Sequence, residues 1–196
     1  MITLPDGIHP SSATARLLDL GFVQEYAGGG SARIDRPGNR FEIELGFPLA
    51  TGDDARVLVA RLTRAKSAGL RVEYPLQGVS QGSPGAPVVD GIDSAGRTLK
   101  LRGLTVGYVA KEGYWLTLID GAGKYYLHLV TALASAGNDG KATLAVEPPL
   151  RVFPGDGAVV LLAKPMVEGF VSSVVEWGMA PGSLTGGLGV TLREAA

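Results

Sequence analysis

The sequence predicts a mainly β fold, an antiparallel β-sandwich or barrel with one covering α-helix at about 53–68. Three observations predict it. From Thr98 to Trp177, short apolar stretches recur between clusters of Gly, Pro, Asn and Asp, at the spacing of hairpin turns. Upstream, Phe41-Glu-Ile-Glu-Leu45 alternates with the period of two expected of a half-buried strand. Only one segment, Asp53 to Ala68, carries the period of an amphipathic helix. The chain, 1–196, reads as a single β-rich domain with a long loop or arm at 77–96 and a Gly-rich C-terminal tail.

Taken in order, Ser11 to Leu20 suits either a short helix or an irregular strand. Ala27-Gly-Gly-Gly-Ser31 is a turn, and Arg36-Pro-Gly-Asn39 a second, because Pro presets φ while Gly and Asn tolerate positive φ. At the helix, Thr51 and Asp54 have capping-box spacing, Asp53 and Asp54 oppose the positive end of the dipole, and Gly69 is the stop. Ala55, Leu58, Val59, Leu62 and Ala65 form one apolar stripe, so this helix covers a sheet face. Leu70-Arg-Val-Glu-Tyr74 reads as a strand returning along it. Seven Gly and Pro residues within Gln77 to Gly96 are too many for a regular element, hence the predicted loop or arm. Strands are then expected at Thr98–Val109, Tyr114–Ile119, Lys124–Thr131, Ala142–Glu147, Ala158–Ala163 and Val167–Trp177. A last short strand, Val190–Leu192, lies in the Gly-rich tail.

Composition excludes several function classes. With 196 residues the chain is long enough to bury about 70% of its unfolded surface. The absence of cysteine removes disulfides, thiol nucleophiles and thiolate zinc sites. Lys+Arg 18 against Asp+Glu 19, with no basic block, speaks against tight nucleic-acid binding, which relies on neutralising several phosphates. The opening residues lack a signal-peptide pattern, and the best apolar run, Ala158 to Ala163, is too short to span a bilayer. A soluble protein made in the cytosol is the expectation, with no membrane insertion.

The candidate motifs each have a plainer reading. Gly78-Val-Ser80-Gln-Gly82 matches the pattern of a nucleophile elbow, with Asp90, Asp93 or Asp120 and then His128 following in hydrolase order. The elbow requires a helix after the serine, and Ser83-Pro-Gly-Ala-Pro87 cannot form one. His9 and His128 are the only histidines and have no partner at metal-ligand spacing. His128 alternates with Leu127 and Leu129, which predicts that it faces solvent or a neighbouring subunit. Asp90-Gly-Ile-Asp93 lacks the ligand series of an EF-hand. Gly28-Gly-Gly30 and Gly121-Ala-Gly123 lack the context of a phosphate loop. Arg33, Arg36 and Arg40 read as a solvated face, and Tyr108, Tyr114, Trp115, Tyr125 and Tyr126 as cross-strand packing rather than a carbohydrate cleft. No catalytic, cofactor-binding or metal residue is assigned, and no cofactor is expected.

Two stretches together carry a family resemblance. Arg36-Pro-Gly-Asn-Arg-Phe-Glu-Ile-Glu-Leu-Gly-Phe-Pro48, followed by the helix and Arg71-Val-Glu-Tyr74, is the first. The second runs through Leu99-Lys-Leu-Arg-Gly103, Lys111-Glu-Gly-Tyr-Trp-Leu-Thr-Leu118, Tyr125-Tyr-Leu-His128 and Gly140-Lys-Ala-Thr-Leu-Ala-Val-Glu-Pro-Pro-Leu-Arg151 to Lys164-Pro165. This succession resembles the distal tail and tail-tip hub proteins of long-tailed bacteriophages, prophages and gene-transfer particles. It covers most of Arg36 to Glu168, and Pro148-Pro-Leu-Arg151 is its most specific piece.

The resemblance implies a non-enzymatic structural protein of the virion tail tip. In that family a ring, usually a homohexamer, connects the tail tube protein to the baseplate hub and fibre proteins and leaves a channel for DNA ejection without specific DNA binding. The alternatives are a monomeric β-sandwich binding module for carbohydrate or protein and, third, a serine hydrolase using Ser80.

Overall fold

The computed structural model describes residues 1–36, 38–48, 50–180, 184–186 and 188–195. Strands hold 43% of the chain and helix 9%, so the fold is mainly β, with a single helix and a nearly closed six-stranded antiparallel barrel. The first part of the chain builds β1 (Ile2–Thr3), β2 (Ser12–Leu18), a hairpin of β3 (Phe22–Glu25) and β4 (Ser31–Ile34), β5 (Arg40–Gly46), β6 (Ala50–Thr51), α1 (Gly52–Ala68) and β7 (Leu70–Glu73). A middle part follows with β8 (Gly85–Val89), β9 (Thr98–Leu104), β10 (Val109–Ala110), β11 (Trp115–Ile119), β12 (Tyr125–Val130), β13 (Ala134–Ser135), β14 (Ala142–Glu147) and β15 (Val160–Leu161). The chain then returns through β16 (Met166–Val171), β17 (Gly178–Ala180), β18 (Leu184–Gly186) and β19 (Gly189–Glu194).

The outer parts form one six-stranded sheet in the order β1-β7-β16-β19-β5-β2, antiparallel except where β1 runs parallel to β7. Helix α1 packs against β1, β7 and β16. Its expected stripe is borne out: Ala55, Leu58, Leu62 and Ala65 are buried and Val59 partly so. Gly69 stops it at φ +75°, its amide bonded to the Ala65 carbonyl at 2.8 Å, a conformation that only glycine adopts without strain. The expected Thr51 cap lies outside the described side chains. Ser11 to Leu20 resolves to strand β2, paired with β5 from Ser12↔Gly46 to Leu18↔Arg40.

The middle part forms a sheet in the order β15-β11-β12-β14-β9-β8. It curls until Val88 bridges Val159, which nearly closes the barrel. Its interior is a second apolar cluster that includes Leu99, Leu101, Leu116, Leu118, Leu144 and Val146. Turn chemistry drives much of this part, as the sequence indicates: burial alternates along β9 and β14, and β8, β9, β10, β11 and β13 are each followed by a Gly-containing turn, whereas β12 and β14 are not.

The stretch at 77–96, expected to lack regular structure, is corrected here. Gly85–Val89 is strand β8 and pairs with β9 through a bulge between Gly85 and Val88. Proline is tolerated because β8 is an edge strand, where a missing N–H breaks no second ladder. Three expected strands are also shorter than predicted: Thr98–Val109 ends at Leu104, with Val109 starting the separate β10, Ala158–Ala163 contracts to Val160–Leu161, and Val167–Trp177 to Met166–Val171. Among the described residues no helix is long and apolar enough to cross a membrane.

Candidate functional site

The polar residues that sequence patterns single out do not converge. Ser80 is exposed, and its hydroxyl accepts the Gly82 amide at 3.2 Å, a local turn. His128 is fully buried on the interior face of β12, between Tyr126 and Val130, so the expectation that it faces solvent or a neighbour is corrected. Its Nδ1–H donates to the Pro148 carbonyl at 2.8 Å, and Nε2 has no partner among the described residues. Ser80 and His128 therefore each bond to backbone rather than to one another.

Burial, opposed by the Pro148 bond and assisted by nearby Arg151, pulls the His128 pKa down to about 4. Asp90 is held by Lys141 (2.8 Å) and Arg102 (3.3 Å), and Asp93 by Lys100 (3.3 Å). Asp156 is bonded by Arg102 and the Gly91 amide, which bring its pKa down to about 2. Asp120 caps its own turn through the Ala122 and Lys124 amides and accepts the Tyr126 hydroxyl at 3.1 Å. His9 lies 3.9 Å from Glu73 on the surface.

The aromatic residues split in the same way. Trp115 meets Phe41 edge-on and Tyr74 at a tilt, with ring centroids 5.1 and 4.5 Å apart, in the joint between sheet and barrel. Tyr125 lies under Arg71 at 3.8 Å and Tyr126 under Arg151 at 5.0 Å. The Tyr108 hydroxyl donates to the Gln81 carbonyl, and burial raises its pKa to about 12. Tyr74, Tyr114 and Trp115 share one pocket with Gln77, Val79 and Gln81, whereas Tyr108, Tyr125 and Tyr126 do not line it.

The joint itself is built from side chains that replace missing ladder bonds. Thr117 Oγ1 donates to the Met166 carbonyl and accepts its amide, both at 2.6 Å, tying β11 to β16. Glu194 is buried, and its carboxylate accepts the Phe41 amide (2.7 Å), the Leu127 amide (2.8 Å) and Arg151 (2.9 Å). Burial pushes this carboxyl upward, while Arg151 and the two amides pull it down. Leu127 belongs to the cluster under the first sheet, and Trp115 and Leu129 pack against it. The joint is thus apolar with polar ties that are satisfied except at Arg151 Nε, which is buried with no partner among the described residues.

What stands open is a surface. Among the described residues β2 is an edge strand of the first sheet, and the β3–β4 hairpin pairs with no third strand. Leu17 (46% exposed), Leu20 (47%), Phe22 (43%), Val23 (59%), Tyr26 (53%) and Ile34 (38%) stand in solvent along this one excursion. The hairpin's root is held firmly. Buried Asn39 accepts the Leu20 amide (2.8 Å) and donates to Asp19 (3.0 Å). Arg33 bridges Asp19 (2.5 Å) and Asp35 (2.7 Å), and Asp35 reaches Arg97 (3.2 Å), which also pairs with Glu147. These guanidinium contacts hold both aspartates below the usual carboxylate range.

Of the sequence's arginine cluster, Arg33 belongs to this root and Arg36 lies over the Phe22 ring at 5.0 Å, whereas Arg40 is partly buried in β5. Sequence reading recognised the 27–31 turn but not the apolar excursion around it; the signal was there in Leu20, Phe22, Val23 and Tyr26, spaced too irregularly for a core strand. No family model matches the chain, and no curated protein matches it in sequence.

Proposed function

We propose that the chain is a structural, non-enzymatic component of a long-tailed phage virion, one copy of a tail-tip ring. The ring would connect the tail tube to the baseplate hub and fibres and leave a channel for DNA. The observation that carries the reading is the exposed apolar hairpin beside an open strand edge. Such features are liabilities in a free protein, and a symmetric neighbour covers both at once. An isolated two-stranded hairpin is marginally stable in water, so this one gains from being covered. The succession of residues from Arg36 to Glu168 that resembles distal tail proteins supports the same reading.

A formal net charge of -1 suits a channel that must let DNA slide, because a basic lumen would grip phosphates. Solution mass and negative-stain electron microscopy of the purified protein test the proposal. Rings with a central opening are expected. A chain that remains a monomer at every concentration and binds a glycan array would overturn it in favour of a binding module.

A further inference from the structure

We infer that strand β2 of one copy pairs antiparallel with β2 of a second copy about a two-fold axis at Ala15, joining their two helix-backed sheets into one. Of the four edge strands of the two large sheets, three are blunted among the described residues. β1 and β15 are two residues long, and β8 carries Pro87 and a bulge. β2 is not blunted. It runs for seven residues, Ser12 to Leu18, without glycine or proline, and pairs with β5 at every position. Among the described residues no backbone hydrogen bond leaves its other side. A row of unused amides and carbonyls therefore faces solvent.

The sequence of β2 selects β2 itself as the occupant. Pairing through Ala15 overlaps the strand along its whole length, setting Ser12 across from the partner's Leu18, Ala13 from Leu17 and Thr14 from Arg16. A register centred on Arg16 shortens the overlap and puts two arginines directly opposite, which is unfavourable. A two-fold perpendicular to the sheet also leaves both helix-backed faces on the same side. On that face Ala13, Ala15 and Leu17 stand across from buried Leu45, Ile43 and Phe41 of β5. Ala13 and Ala15 pack against the core, whereas Leu17 is 46% exposed. In the dimer Leu17 lies beside the partner's Ala13, which walls a pocket of about 260 Å³ together with Tyr74, Leu76, Val79 and Trp115. An uncovered leucine thus meets an open, largely apolar wall, twice in each dimer.

Charge matches on the opposite face. Arg16 lies 4.0 Å from Glu44 of its own chain, and both side chains are largely exposed. Thr14 is the residue directly across from Glu44 in the β2–β5 ladder. Because Arg16 faces the partner's Thr14 in the dimer, the partner's Glu44 is the next residue beyond it in the same row. The two arginines become diagonal neighbours that share two glutamates, a neutral cluster. A second copy supplies this arrangement twice by symmetry. The contact does not rest on the ring reading above. All copies of a tail-tip ring point one way, so a two-fold joins two copies, or two rings, rather than successive members of one ring.

The chain has no cysteine, so an introduced one reports without background. Ala15→Cys alone is expected to oxidise to a covalent dimer, whereas Ile92→Cys, 78% exposed in a loop of the barrel, is the control and is expected not to. Thr14→Lys places a lysine across from its own Glu44, which suits the folded chain, but opposite the partner's Arg16 in the dimer. With folding verified by far-UV circular dichroism, sedimentation is expected to show association weakened about tenfold, from two like-charge pairs per dimer, and adding Arg16→Glu restores it. Should Ala15→Cys not fold, the Thr14→Lys series decides. No cross-link at Ala15, equal cross-linking of the control, or association unchanged by Thr14→Lys overturns this interface, and rings seen alongside such a result leave the ring reading standing. A cross-linking dimer that forms no ring at any concentration keeps the interface and removes the ring. A monomer at all concentrations, with no cross-link, removes both.

Discussion

The imidazole of His128 occupies the barrel interior with one bonded nitrogen and one bare nitrogen, an environment that disfavours its protonated form. With a folded pKa of about 4 against the ordinary 6.5, the group is neutral in the native protein. Above pH 6.5 neither state binds the proton and stability is unaffected by it. As pH falls from 6.5 to 4 the unfolded chain takes up a proton that the folded chain refuses, and stability drops by about 3 kcal/mol. Below pH 4 both states are protonated and this residue adds no further loss. Urea titrations of the native protein and His128→Gln are expected to diverge in slope with pH only within that window; parallel curves would contradict the assignment. The sequence correctly set His128 on the opposite strand face from Leu127 and Leu129. It could not show that both faces are covered, since alternation implies a solvent face only when a strand borders a single core. β12 borders two.

At the level of elements, α1 was readable because its acidic first turn, stripe and stop are all local. Strand β8 was not, because Gly and Pro are penalised in strands generally, whereas an edge position with a bulge accepts them. Pairing geometry also decides which glycines matter. A Cβ on Gly169 of β16 would lie 2.1 Å from the Arg193 carbonyl oxygen of β19, backbone against backbone, at the pair that includes Glu194. Gly169→Ala is expected to destabilise the protein by at least about 2 kcal/mol, because neither strand can move aside without breaking the ladder. Gly121, in the open β11–β12 turn, has no atom within 4 Å of such a Cβ, and Gly121→Ala is expected to stay within about 0.5 kcal/mol of the native protein. Chemical denaturation of the two variants side by side checks the contrast, and equal effects would defeat the packing argument.

Across the whole molecule, the barrel is inserted between two neighbouring strands of the first sheet, β7 and β16, with the Tyr74 amide on the Pro165 carbonyl (2.8 Å) closing the neck. The joint around Trp115, Thr117, Leu127 and Glu194 couples the two cores. Far-UV circular dichroism is therefore expected to record one cooperative urea transition for the native chain. Trp115→Ala, which costs about 3–5 kcal/mol as a large-to-small change in packed surroundings, is expected to split that transition into two steps. A single transition in the variant would mean that the coupling lies elsewhere. By itself the sequence determined the mainly β class, the extent and buried face of the helix, most strand positions and the absence of thiol chemistry, because each follows from local periodicity, turn residues or composition. Only the tertiary structure decided that the strands divide between a helix-backed sheet and a nearly closed barrel, that 85–89 joins the barrel, that His128 points inward, and that the apolar hairpin is left uncovered. Those outcomes depend on register between segments far apart in the chain, such as Arg151 with Glu194 or Phe41 with Trp115, and no local pattern encodes which distant partner a strand will meet.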